Sequence, residues 1–189
     1  MKKIVYLLLV LVSILFVTSC WLNPDDDQEI QLLQNTNVED GTVDPSYWSY
    51  SDVKCSWSNT IFKSPSHSLK VSCATPDPDN FEYWCQVITD NLPIGSKPIL
   101  KAYIKTDSLN GEGVSIAIRG DDTTTPEGYA EVFTSTGDSI PIQGTMDWTL
   151  FSIQLNEVVP SDIESITVYL ILLPNTSGDV YFDDITLTY

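Results

Sequence analysis

Val180-Tyr181-Phe182-Asp183-Asp184-Ile185-Thr186-Leu187-Thr188-Tyr189 sets two adjacent carboxylates inside a run that otherwise alternates apolar and polar residues. Read at period two, Val180 and Phe182 share one face of a strand, and Ile185, Leu187 and Tyr189 share one face beyond the pair. The register therefore slips by one residue at Asp183-Asp184. A β-bulge produces such a slip and can turn a side chain toward a partner. A carboxylate aimed inward needs a cation or hydrogen-bond donors, because an unpaired buried charge is very costly. A metal ion is one answer; turn capping and backbone N–H donors are the other.

Rings and polar side chains form a second group with chemical reach. If Val114, Ile116 and Ile118 face a core, Ser115, Ala117 and Arg119 lie on the opposite side. Ala130 and Val132 inward leave Tyr129, Glu131 and Phe133 beside Arg119. Cys85 and Val87 inward put Trp84, Gln86 and Ile88 outward. Aromatic faces for stacking would then share one surface with groups that donate to or accept from hydroxyls. Arg119 and Glu131 could equally form only a cross-strand ion pair of small energetic consequence.

Cysteine and histidine offer less. Of four cysteines, Cys20 follows an apolar leader, while Cys55, Cys73 and Cys85 allow at most one disulfide, with Cys73 to Cys85 fitting if their strands are neighbours. No C-x-x-C spacing occurs and His67 is the only histidine, so a thiolate metal site is poorly supported.

The elements that position these groups read as short strands. Ser68 to Cys73, Trp84 to Thr89, Ile99 to Thr106, Val114 to Arg119, Tyr129 to Thr134, Trp148 to Leu155 and Ile166 to Leu173 alternate or run apolar between turn signals such as Thr75-Pro76-Asp77-Pro78. No stretch has helical periodicity. The pattern predicts an all-β fold, an antiparallel β-sandwich or barrel.

Ahead of this domain, Met1-Lys2-Lys3 and the apolar run from Ile4 to Val17 have the layout of a secretory signal. Val17-Thr18-Ser19-Cys20 resembles a bacterial lipobox, which implies a lipid anchor on Cys20, and Asn23-Pro24-Asp25-Asp26-Asp27-Gln28-Glu29 resembles the acidic export signal of surface lipoproteins of Bacteroidetes. The expected organisation is a signal peptide over 1–19, an acidic tether over 20–29 and one domain over 30–189, in a lipoprotein of the outer membrane exposed at the cell surface. The formal charge of −17 becomes −19 once Lys2 and Lys3 leave with the signal. So acidic a surface repels phosphate backbones and argues against a nucleic-acid partner.

Several motifs then follow one another in order: Asn35-Thr36-Asn37-Val38-Glu39-Asp40-Gly41, Tyr47-Trp48, His67-Ser68-Leu69-Lys70-Val71, Ala102-Tyr103-Ile104-Lys105-Thr106, Met146-Asp147-Trp148-Thr149 and Tyr181-Phe182-Asp183-Asp184-Ile185. Together they resemble the jelly-roll carbohydrate-binding modules of the family 4 and 9 type, which have a galactose-binding-like sandwich, although Val38 stands where those modules usually carry phenylalanine. The resemblance implies glycan binding without catalysis. It implies a structural Ca2+ where the first and last strands meet, with Glu39 and Asp183 or Asp184 as carboxylate ligands. It also implies Trp84 and Tyr129 as ligand rings, followed by Trp57 and Tyr83, with Arg119, Gln86 and Glu131 reading hydroxyls. Trp48 and Trp148 match framework positions and are expected in the core. A structural or adhesive surface subunit is the alternative. A glycoside hydrolase is a further one, since acidic residues are plentiful but fall in the tether, the loops and the chain end.

Overall fold

A computed structural model describes residues 29–189 except 125, 127, 128 and 138; the signal, Cys20 and most of the tether lie outside the described residues. The described residues form nine strands and no helix: β1 (Ser49–Tyr50), β2 (Cys55–Ser58), β3 (Ser68–Cys73), β4 (Glu82–Ile88), β5 (Ile99–Asp121), β6 (Val132–Ser135), β7 (Ile142–Gln154), β8 (Ser165–Leu172) and β9 (Ser177–Thr188). All pairings are antiparallel. The fold is the expected all-β sandwich of jelly-roll type.

The two layers share β5. Its first half lies between β7 and β9, giving the order β7-β5-β9-β3-β2; its second half lies between β6 and β8, giving β6-β5-β8-β4-β1. The first half alternates in burial as a strand with one core face does, with Leu100, Ala102 and Ile104 fully buried; in the second half Ile116 and Ile118 are fully buried in the core, and Ser115 and Ala117 between them are covered as well. Each such leucine or isoleucine contributes about 1.5–3 kcal/mol on burial. Between the halves the chain passes Gly111, at φ 122°, where an added Cβ would meet the Asn175 carbonyl oxygen at 2.0 Å. Only glycine fits that approach.

The bulge read from the sequence lies in β9. Lys101 pairs with Thr186 but Tyr103 with Asp183, so β9 advances three residues where β5 advances two, and Asp184 takes a φ of 47°. Phe182 and Ile185 both enter the core as a result. The Ile185 N–H is freed to bond the Thr36 carbonyl at 2.8 Å. Residues 30 to 32 continue this contact along β9, with Ile30 and Leu32 N–H groups on the Tyr189 and Leu187 carbonyls.

Some expectations need correction. The stretch from Asp107 to Gly113, which separates the expected strands Ile99 to Thr106 and Val114 to Arg119, is inside β5, and β1 and β2 add to the expected strands. Cys73 and Cys85 fall in different layers rather than on neighbouring strands, and Cys55, Cys73 and Cys85 are all free thiols. Trp48 is buried as expected, whereas Trp148, on the edge strand β7, is only half-buried.

Candidate functional site

The outward face of the β6-β5-β8-β4 layer collects side chains from four strands in register. One cross-strand row runs Cys85, Tyr169, Ala117, Ser135; a second runs Val87, Thr167, Arg119, Phe133; a third pairs Tyr83, Ile171 and Ser115. Together with Phe81 and with Tyr129 and Ala130 from the segment before β6, the Tyr83, Ile171, Tyr169, Arg119 and Phe133 side chains line a depression of about 570 Å3. Tyr83 and Tyr169 meet edge to face, centroids 5.4 Å apart at 80°, an arrangement that locks both rings. Tyr129 and Phe133 are largely exposed, at 70% and 53%. Rings that no protein group covers are available to a ligand.

Arg119 is the cation of this lining. Its Nε donates to both oxygens of Asp121, at 3.0 and 2.8 Å, and its Nη2 donates to the Tyr129 carbonyl. The bond to Asp121 raises the guanidinium above its already high value, so the charge is permanent. Arg119 thereby fixes the backbone that carries Tyr129. Burial pushes the Tyr169 hydroxyl up, so that phenol stays protonated and can donate.

The structure brings Tyr83, Arg119 and Tyr129 together and separates the other expected residues from them. Trp84 and Gln86 point into the core, the reverse of the expected orientation: Trp84 is fully buried and its indole donates to the Lys70 carbonyl at 3.1 Å, while the Gln86 amide accepts from the Gln34 N–H and donates to its carbonyl. Cys85 and Val87 face outward instead. This inward β4 face also holds Glu82, whose carboxylate meets Lys54 at 2.6 Å and Ser51 at 2.9 Å. A face carrying a carboxylate and an amide reads as solvent-facing unless their partners, distant in sequence, are known. Glu131 is exposed and does not line the depression, and Arg119 pairs with Asp121 rather than with it. Phe81, Tyr169 and Ile171 were missed; β8 reads apolar on both faces, and the tyrosine in that run was the available signal.

Trp57, Glu39, Asp183 and Asp184 belong to a different region, where residues 63 and 64 bond Asp183 at the bulge in the middle of β9 and residues 66 and 67 bond Glu39. Trp57 stacks on His67 at 4.0 Å and donates to the Val38 carbonyl. Glu39 accepts from the His67 N–H at 2.8 Å, from Ser66 Oγ at 3.1 Å and contacts His67 Nδ1 at 3.2 Å. Ser66 Oγ addresses that same Nδ1, whereas a nucleophile, base and acid relay uses the two ring nitrogens for different partners. The cluster is therefore a clip, not a triad. Asp183 is wholly buried and accepts from the N–H groups of Lys63, Ser64 and Asp184 and from Ser64 Oγ. Calcium takes an oxygen shell. Here N–H and O–H donors face the two carboxylates where a cation would stand, half-buried Asp184 adds no third ligand, and the described residues contain no cluster of metal-ligating side chains. As folded, the carboxylate oxygens of Glu39 and Asp183 are taken by these donors, an arrangement that does not fit Ca2+.

The two carboxylates respond to pH with opposite signs. Burial acts to raise Glu39, but the hydrogen bonds from Ser66 and His67 outweigh it and hold the carboxyl below its ordinary value. A lowered folded value gives stability that is present above the unfolded value and lost as pH falls through the folded one. Glu39→Gln should therefore melt lower at neutral pH and lose less than the parent between about pH 5 and about pH 3. Acid melting profiles that run parallel for the two proteins would show that the clip adds nothing.

No protein-family model matches the chain, and no curated protein matches it either. Solved structures do. The xylan-binding CBM22-1 domain of Paenibacillus barcinonensis Xyn10C superposes with a TM-score of 0.59 at 13% identity, over 85% of this chain and 94% of that one. The chain has the jelly-roll fold of such modules. A CBM61 module in complex with β-1,4-galactotriose follows with a TM-score of 0.53 at 17% identity, over 84% and 97%. A Stig cyclase from Fischerella sp. TAU, in complex with a pyrrolidinylidene indole, has the same fold at 0.59 and 14%, over 85% and 97%. Within two longer proteins, a bacteriophage CBA120 tailspike domain and an arabinose-bound α-L-arabinofuranosidase, this chain spans 22% and 26% of the length. At these identities the likeness is one of fold.

Proposed function

We propose that this protein binds a glycan on the outward face of β4, β8, β5 and β6 and performs no chemistry on it. The observation that carries this reading is the register that brings Tyr83, Tyr169, Arg119 and Phe133 to one depression with Tyr129 at its rim. Flat rings stack on the apolar faces of pyranoses, and a few polar groups fix their orientation. Modules of the same fold bound to galactotriose or named for xylan add support. Glycoside hydrolysis needs two carboxylates across the scissile bond. Among the described residues the lining supplies an arginine and no carboxylate.

Affinity electrophoresis in xylan and in β-1,4-galactan, with cleavage assayed on the same samples, tests both halves of the proposal. Tyr129→Ala and Phe133→Ala should each cost on the order of 2 kcal/mol of binding, about a thirtyfold loss, with the melting temperature kept because both rings are exposed. Full retention by both folded variants would remove this face from consideration. The apolar lining favours a second reading, a small aromatic ligand like the indole held by the cyclase of the same fold. Saturable quenching of tyrosine fluorescence by an indole, without glycan retardation, would select it.

The anchor is a separate part of the proposal: lipid on Cys20 holding the domain at the outer-membrane surface, supported by the leader and the Val17-Thr18-Ser19-Cys20 motif. Cys20→Ser should move the protein out of the membrane fraction or leave its signal uncleaved. An unchanged membrane fraction with the signal cleaved as in the parent would count against lipidation.

A further inference from the structure

A second groove, of about 570 Å3, lies at the open edge of β4, away from the ring-lined depression, and Val87 contributes to its wall. Its origin is a strand that stops short. β1 pairs only Ser49 with Cys85 and Tyr50 with Trp84, and continuing it backward would set Tyr47 opposite Val87. Instead the Trp48 side chain turns into the core, where its indole donates to the Asn35 carbonyl at 3.1 Å, and Tyr47 adopts a φ of 71°. Such a backbone is strained for tyrosine and leads the chain off the edge. On β4 the Tyr83 N–H and carbonyl are engaged from this side by Ser51, so those of Val87, four residues on, face the same edge with no described strand beside them.

The groove this leaves has fixed walls. The buried Gln86 amide holds the Gln34 backbone by both its N–H and its carbonyl, at 2.7 and 3.0 Å. Tyr47 and Tyr189, 64% and 39% exposed, present rings, while Gln34, Asn91 and Asp90 present amides and a carboxylate. Donors and acceptors are thus mixed around two exposed rings in a volume usual for small-ligand sites. With a net charge of −17 on the chain, anionic ligands are disfavoured. The exposed edge beyond Cys85 covers too few residues to pair an extended peptide.

We propose that this groove is a second binding site, for one or two residues of a neutral sugar, independent of the ring-lined face. The rings would stack on the sugar while the Val87 backbone, Asn91 and Asp90 meet its hydroxyls.

The experiment uses the mature chain with Tyr129→Ala and Phe133→Ala already in place, so that the first face is disabled and the two proposals fail separately. Cellobiose, xylobiose and β-1,4-galactobiose are titrated at millimolar concentration while amide resonances are followed by NMR. Saturable shifts at Val87, Asn91 and Tyr189 with at least one disaccharide are expected. Tyr47→Gly, which removes the ring and suits the left-handed backbone, should weaken that response at least tenfold while leaving the remaining spectrum in place. No saturable shift at these residues with any of the three, or an equal response in Tyr47→Gly, overturns the site. Shifts produced only by a Thr-Val repeat peptide would overturn it in favour of strand addition at the β4 edge.

Discussion

Trp84→Ala should lower the free energy of unfolding by about 3–5 kcal/mol, the range for deleting a large core aromatic. Trp84 is fully buried, it packs edge-on against Tyr50 at 4.9 Å, and its indole N–H reaches the Lys70 carbonyl in the other layer. The substitution thus opens a cavity and strips a carbonyl of its donor. Against a typical total of about 5–15 kcal/mol, this is a large fraction of what keeps a domain folded. Urea unfolding followed by tyrosine and tryptophan fluorescence measures it. Trp84→Phe, which refills most of the volume and loses only the donor, should fall between parent and alanine variant. A midpoint shift worth less than about 1 kcal/mol for Trp84→Ala would mean that the ring does not brace the layers, since even a buried methylene carries about that much.

Asp183→Ala is the second large effect. The carboxylate gathers three backbone N–H groups and a hydroxyl that have no alternative partner once covered. Each donor left bare in the interior costs about 1–3 kcal/mol, so the variant should lose roughly 3 kcal/mol or more. Asp183→Asn keeps one acceptor oxygen but brings an NH2 group against a donor, and should lie between. Burial pushes the Asp183 carboxyl above its ordinary value although the N–H groups of Ser64, Lys63 and Asp184 pull it down. With the folded value above the unfolded one, the native state holds the proton more tightly, and this group's contribution falls as pH rises from the ordinary value through the raised one. Guanidinium titrations of the three proteins at neutral pH rank them. An alanine variant as stable as the parent would show that the N–H groups of residues 63 and 64 find other acceptors, such as water, once the carboxylate is gone.

How far these features could be read in advance depended on the range of the interactions that fix them. The β9 bulge was legible because Phe182 and Ile185 cannot both be inward at period two without an extra residue, a purely local condition. The length of β5 was not, since Asn110-Gly111-Glu112-Gly113 has turn composition and is carried through by distant partners: Asn110 pairs with Ser177 of β9, while the Gln143 side chain, Thr176 Oγ1 and the Leu173 N–H hold Gly111 and Gly113. On β4 the local choice between Cys85 with Val87 and Trp84 with Gln86 was decided by Lys54, Ser51 and Gln34, which satisfy the polar groups of the inward face from far along the chain. The candidate site divides in the same way. Arg119 and Phe133 were placed on one face because the sequence alternates around each of them, whereas Tyr129 reaches that face from the segment before β6, its carbonyl held by Arg119, and Tyr169 joins only through pairing of β8 with both β5 and β4.

The position of β9 governs the order in which the chain can assemble during synthesis. β9 is the ninth strand to be made, yet it lies between β5 and β3, and through β3 it connects β2 to the rest of its layer. The segment from Ile30 to Leu32 also waits for Leu187 and Tyr189. Until the β9 residues are available, β2, β3 and the first segment have no place to dock, and β5 exposes an open edge. Such late, long-range pairings make folding slow and leave unpaired strands exposed meanwhile. A proteolytic cut ahead of Ser177 would for the same reason leave no smaller folded remnant of this sandwich.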